Sequence, residues 1–434
     1  MSAAKQPLGI MIDMNLLKTA LLITFAFANV ARVAHAAPCS LDELTQEQVL
    51  KSMSVRWQAK NFKCSDLPEG LGKGPVAAIE SWAAWSLEHE YQMHLVKDKR
   101  VLLISPKDSS KLARHLKLID DTAKEFDKLA PAPPREEIVL EDEEEGAPDS
   151  MPEEELPEDP EGGPAGWSPD DEEPLPFTFS YEWGAGTWPV DTETCVMFVV
   201  HDEKDYSTLV DTLVEKQDYL AEWAKTGKTQ TGFVHERPLV AAYIENASGM
   251  EEWDPDNEVV HRVAQMLFVR RFSSQQPYWL VQGTSWYIEM KLRKAIYVYP
   301  YRDEFVFATE HTAWDSDLTN TFNDREEDPV RPEEFTAWNH GSYQGGPARL
   351  SYGLVGFIAR YHPDAFGQFL EDLRLFAMED NRVELGNGDW ERASGYVISS
   401  ENQMRLGEQH FRESFLKDAA DYFRKGKKFK LKKK

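Results

Sequence analysis

Five side chains in two nearby segments could converge on one chemical site. They are His261, Arg262 and Gln265 in the run His261-Arg262-Val263-Ala264-Gln265, and Gln282 and Glu289 in the run from Trp279 to Glu289. On a helix, positions 261 and 265 stand one turn apart on one face, where two side chains can share an ion. Fully armed, such a pair of helices performs zinc-assisted hydrolysis. Two imidazoles one turn apart hold the metal, and a carboxylate beside the first takes a proton from water. Here Arg262 stands where that carboxylate is needed, and Gln265 where the second imidazole is needed. A guanidinium stays protonated at physiological pH, so Arg262 cannot act as the base, and its charge repels a divalent cation. Gln265 and Gln282 offer neutral amide oxygens, poor substitutes for imidazole and carboxylate on zinc.

The elements that would carry these residues are legible from local signals. Asp254-Pro255 supplies an N-cap with proline in the first helical position, and Asp256 and Glu258 suit the positive end of a helix running to about Phe272. On it, Glu258, His261 and Gln265 share one face, while Val259, Val260, Val263, Met266 and Leu267 form an apolar side. Pro277 opens a second helix reaching about Ala295, with Gln282, Ser285 and Glu289 on one face and Trp279, Trp286 and Met290 elsewhere. Upstream, 41–62 and 109–129 have helical periodicity, with strand-like runs at Glu90–Val96 and Arg100–Ile104 separated by the charged turn Lys97-Asp98-Lys99. Further strands are expected at Thr194–Val200, Thr231–Val234 and Leu239–Glu245, with a helix over 205–225. Helical patterns return near 348–361, 364–378 and 403–424.

The paired segments resemble the gluzincin (clan MA, peptidase MA-like) zinc metallopeptidases. That family's pattern is HExxH followed by a second helix reading roughly W-L-x-E-G-x-A-x-Y. His261 matches the first zinc ligand; Arg262, Gln265 and Gln282 depart from the base, the second ligand and the third ligand. Trp279, Leu280, Gly283 and Tyr287 match the second-helix scaffold, and Ser285 stands at its small-residue position. The resemblance covers most of residues 85–425. It implies an α+β fold with a mixed or antiparallel sheet lobe, two active-site helices and a C-terminal helical lobe. With most of the ligand set replaced, zinc is expected to be lost.

The five candidate residues have rivals, which their spacing excludes. His89 to His94 has one residue too many for HExxH, and His235-Glu236 lacks a second histidine before Pro238. No GxSxG, phosphate loop or dinucleotide fingerprint occurs. A lone helical histidine is commonly a satisfied core or cleft residue, and it is the second segment that favours a relic site here.

With 434 residues, 41% of them hydrophobic, the chain can bury a large core. Eighteen acidic residues and no basic ones lie between Glu136 and Glu173, so that stretch supplies −18 of the net −27. The remaining −9 is ordinary, and nothing favours nucleic acid, which needs the opposite sign. The organisation expected is a signal peptide over 1–36 ending in Ala34-His35-Ala36, then an N-terminal α+β region over 37–134. An acidic, disordered insertion follows over 135–176. The sheet lobe is completed, with the degenerate-site helices, over 177–300; a helical lobe spans 301–424 and a basic tail 425–434. Export to a periplasm or the cell exterior would favour a Cys39–Cys64 disulfide, leaving Cys195 as a buried thiol. No later segment suits a bilayer, and the basic tail is suited either to solvent or to an anionic surface.

The function expected is therefore non-catalytic: an exported pseudo-metallopeptidase binding a peptide or protein in the former active-site cleft through His261, Arg262, Gln265, Gln282 and Glu289. Arg262 there would pair with Glu258, Glu289 or a ligand carboxylate. One alternative is an active hydrolase whose metal is held by His261 with Glu258 or Glu289. Another is an envelope structural protein acting through its acidic tract and basic tail.

Overall fold

Polar alternation is missing from the strands at the centre of this protein. Cys195–Val200 reads Cys-Val-Met-Phe-Val-Val, and every residue of it is buried, as is every residue of Val101–Pro106 and Leu239–Ile244. Such runs demand cover on both faces. The computed structural model describes residues 44–131, 193–236, 238–247, 254–272, 276–299, 310–324, 331–338, 345–380, 382–384, 390–392 and 398–431. The expected signal peptide, Cys39 and the acidic insertion lie outside these residues. The main folded unit is Val49–Lys434.

After helix α1 (Gln46–Ser52) comes a hairpin, β1 (Ser54–Trp57) and β2 (Lys60–Lys63), where the helical periodicity of 41–62 predicted continued helix. Gln58 and Ala59 form its two-residue turn with φ of 48° and 63°, a left-handed pair made without the usual Asn-Gly signal. Helix α2 (Lys73–Glu88) follows, then β3 (Tyr91–Leu95) and β4 (Val101–Pro106), and helix α3 (Leu112–Leu129). Beyond the insertion run β5 (Cys195–Val200), α4 (Glu203–Lys216), α5 (Ala221–Gly227), β6 (Gly232–Glu236) and β7 (Leu239–Ile244). The single helix expected over 205–225 is thus broken after Lys216.

The seven strands form one mixed sheet in the order β2-β1-β3-β4-β5-β7-β6. β4, β5 and β7 are parallel, and β6 closes one end by antiparallel pairing with β7. The protein is accordingly α+β. Trp82 and Trp85 of α2 cover one sheet face, meeting the Phe198 ring at 4.8 and 5.1 Å. The other face, with Leu103, Met197, Ala241 and Tyr243, packs on α3 and on helix α6 (Pro255–Phe272).

Helix α7 (Tyr278–Arg293) lies against α6, and behind it stand α8 (Trp314–Asp324), α9 (Pro332–Thr336), α10 (Gly345–Tyr361) and α11 (Pro363–Asp380). A small hairpin, β8 (Arg382–Glu384) and β9 (Trp390–Arg392), precedes α12 (Ser400–Phe411) and α13 (Phe415–Lys425). The pattern over 403–424 therefore belongs to two helices, separated where Arg412 takes a φ of 103°. The start of the basic tail is docked: Phe429 is buried against Phe357 and Tyr361. Among the described residues no helix is long and apolar enough to cross a membrane. Cys64 and Cys195 are both buried, and burial pushes a free thiol at either place up to about 12; Cys39, the expected disulfide partner of Cys64, lies outside the described residues.

Gly283 sets how closely α7 approaches α10. A Cβ there would stand 2.6 Å from the Ser351 carbonyl oxygen, a backbone atom that cannot swing aside. A Cβ added at Gly346 on α10 would meet nothing within 4 Å. Gly283→Ala should destabilise the protein by about 1–3 kcal/mol, the overpacking cost outweighing the gain in helix propensity. Gly346→Ala should be neutral or stabilising. Thermal melts of the two variants, expected to shift in opposite senses or for Gly283 alone, check this.

Candidate functional site

Every residue of α6 from Asp256 to Phe272 except Arg270 is buried, the face of Glu258, His261 and Gln265 as well as the apolar side. The helix is enclosed by sheet, α3 and α7, and its polar side chains are buried because most have partners inside the fold. The central one is His261. Its Nδ1–H donates to Glu289 Oε2 at 2.9 Å, and its Nε2 lies 3.1 Å from Gln282 Oε1. The Trp286 ring flanks the imidazole with centroids 6.0 Å apart. With Nδ1 committed to the carboxylate, a neutral ring must accept at Nε2 and a charged ring must donate there. The Gln282 amide can serve either state, presenting its NH2 or its oxygen.

Glu289 is 0% exposed, and its other oxygen, Oε1, accepts from Asn257 Nδ2 and from the Tyr297 backbone N–H, each at 2.7 Å. Asn257 also donates to the Ala295 carbonyl at 2.7 Å and accepts from Arg293 Nε at 3.2 Å. Asn257 thus belongs to the cluster although sequence reasoning missed it. Its signal was available: it stands one turn before His261, as Gln265 stands one turn after.

Arg262 pairs with Glu258, Nε to Oε2 at 2.6 Å, the i,i+4 pairing expected as one of three options. Its terminal nitrogens lie under β6. A Cβ on Gly232 would stand 2.5 Å from the Ala242 backbone oxygen and 2.5 Å from Arg262 Nη2, so the bare glycine backbone leaves room for the guanidinium there. Arg262 and Gln265 are each 8% exposed, and Gln282 is 4% exposed. His261, Gln282 and Glu289 are therefore brought together in a nearly closed cluster rather than as the walls of an open cleft, while Arg262 turns to Glu258 and β6 and Gln265 has no hydrogen bond among the described residues.

This donor set does not fit a catalytic zinc. The three ligand positions offer one imidazole and two neutral amides, with a cation beside the first. Nor do the carboxylates of the alternative ligand sets stand ready. Both Glu289 oxygens are engaged, on the Nδ1 side of the ring, and Glu258 is engaged by Arg262.

Near the start of α6, Asp256 is ion-paired to Arg114 and, at 3.2 Å, to Arg293. His115, fully buried on α3, has Nε2 3.4 Å from the Tyr243 hydroxyl and 3.9 Å from Asp256. Burial, with Lys111 and Arg114 adding to it, holds His115 down to about 4, and burial does the same to His94.

Comparison with known proteins finds no matching family model and no matching curated relative.

Glu289→Ala would strand the His261 Nδ1–H, an Asn257 N–H and the Tyr297 N–H, and should lower stability by about 3–5 kcal/mol, the range for breaking a buried charged pair. Glu289→Gln, which keeps an acceptor oxygen, should be milder; denaturant midpoints check both. The depressed histidines set an acid limit. In the unfolded chain each protonates near 6.5, but in the fold only near 4. Their contribution is therefore complete above pH 6.5 and is lost as the pH falls toward 4. The melting temperature should drop across that window, less steeply in His115→Gln.

Proposed function

We propose that this chain is an exported, non-catalytic pseudo-metallopeptidase that binds an extended peptide or protein segment where a gluzincin would cleave one. The observation that carries the proposal is the Glu258–Arg262 pair. Arg262, at the position that the resemblance gives to the general base, is a permanent cation paired with Glu258 inside the fold, so it cannot take a proton from water. Around it, His261 Nδ1 meets Glu289 and its Nε2 meets the neutral amide of Gln282 rather than a second imidazole or a carboxylate.

Binding has a structural vehicle in β6, the last strand of the sheet. The Ile244 N–H bonds the Thr231 carbonyl at 2.9 Å, and with the β6–β7 register this directs residues 231, 233 and 235 toward β7. The backbone groups of Gly232 and Val234 accordingly face the outer edge, where an extended segment can add as a further strand. No described strand pairs that edge. Export rests on the sequence signals alone, and so does the absence of nucleic-acid partners.

A pool of random-sequence decapeptides incubated with the purified full chain tests the proposal. Expected are retention of a subset, no cleavage, and less than stoichiometric zinc by elemental analysis. Cleavage with stoichiometric metal would overturn the non-catalytic reading, and absence of any retained peptide would overturn the binding role. The triple variant R262E/Q265H/Q282E should acquire zinc affinity at least about 100-fold above the parent's if these positions descend from a ligand set, as restoring two missing ligands implies. A folded triple variant with unchanged affinity would defeat the relic.

A further inference from the structure

We infer that the cluster formed by Arg262, Gln265 and Gln282 is a carboxylate-recognition site, seating the carboxylate of a peptide added along β6. The inference rests on the peptide-binding function proposed above and specifies what the bound segment must carry.

The cluster is rich in donors that the fold does not use. Arg262 has five N–H groups on a planar fork, and among the described residues its hydrogen bond is the one from Nε to Glu258. Its terminal nitrogens, which form the second bidentate edge of the fork, lie against Gly232 at the outer strand of the sheet. Gln265, one turn on from His261 and three residues from Arg262, is 8% exposed and has no hydrogen bond to any described residue. Gln282 meets His261 with one end of its amide, which leaves the other end uncommitted among the described residues. All three side chains are more than nine-tenths buried yet not sealed.

Charged acceptors in the same place are already taken up. Glu258 is paired with Arg262, and both oxygens of Glu289 are engaged on the far side of His261. The complement to unused donors beside a guanidinium is a group that only accepts, and an ionised carboxylate is such a group. A neutral backbone carbonyl would satisfy fewer of these donors and gain less from the charge. The same substitutions that disarm a hydrolase, base to arginine and ligands to glutamine, thereby turn a metal-centred site into an anion-centred one.

Two sources share this chemistry, the C-terminus of a chain and the side chain of Asp or Glu. Binding of N-acetylated decapeptide pools to the full chain separates them in three arms: free acids lacking Asp and Glu, C-terminal amides containing one Asp or Glu, and C-terminal amides lacking both. At least one of the first two arms should bind about ten-fold more tightly than the third, as a charge-assisted bidentate contact requires. That preference should vanish in E258Q/R262M, which removes both charges of the pair together, and in Gln265→Glu, which sets a like charge in the site. Melting temperatures establish that each variant is folded. Equal binding in all three arms overturns the inference while leaving peptide binding intact. Persistence of the preference in both folded variants also overturns it. Binding in none of the arms overturns the peptide-binding function itself, and the inference with it.

Discussion

A carboxylate with no access to water must be compensated inside the protein, and Glu289 imposes that requirement on everything around it. Leaving such a charge unpaired would cost several kcal/mol. Its nearest partners come from two places: His261 and Asn257 on α6, and the Tyr297 backbone just beyond α7. Satisfying one group therefore sets the register of two helices and the path of the chain that leaves them. Asn257 extends the constraint by bonding Ala295 and Arg293. Trp286 does the same from the preceding turn of α7, its Nε1 donating to the Val298 carbonyl at 2.9 Å.

The Glu258–Arg262 pair is the second buried charge couple on α6, and it has a different character. Glu289 has both oxygens engaged, whereas Arg262 keeps donors in reserve beside the sheet edge. A fully satisfied network serves rigidity, whereas unspent donors beside a strand suit the ligand proposed above. Gly232 connects the two roles, since its missing side chain lets the guanidinium reach the strand.

Much of the fold could be read locally. The charged turn before β4, the apolar run of β5 and the Asp254-Pro255 start of α6 all act through neighbours in sequence, and each stands where expected. Failures occurred where tertiary context overrode pattern. The β1–β2 hairpin turns through Gln58 and Ala59, residues with no left-handed preference, so nothing local announced it. Helix α2 went unanticipated because its aromatic face, Trp82 and Trp85, is defined by Phe198 across the sheet. The burial of the polar face of α6 was not legible, because periodicity cannot distinguish a polar side chain in solvent from one buried with a partner.

What the amino-acid order determined unaided was the central strands, the start of α6 and the polar groups carried by α6 and α7: one imidazole, a guanidinium and two amides in fixed positions. Those facts are local, depending on residue type and helical spacing alone. Only the tertiary structure decided that Glu289, 28 residues from His261, orients its ring, and that Gly232 covers Arg262. Pairings at that separation are chosen by which helix faces pack together and which buried charges need compensation, and no periodicity within either segment encodes that choice.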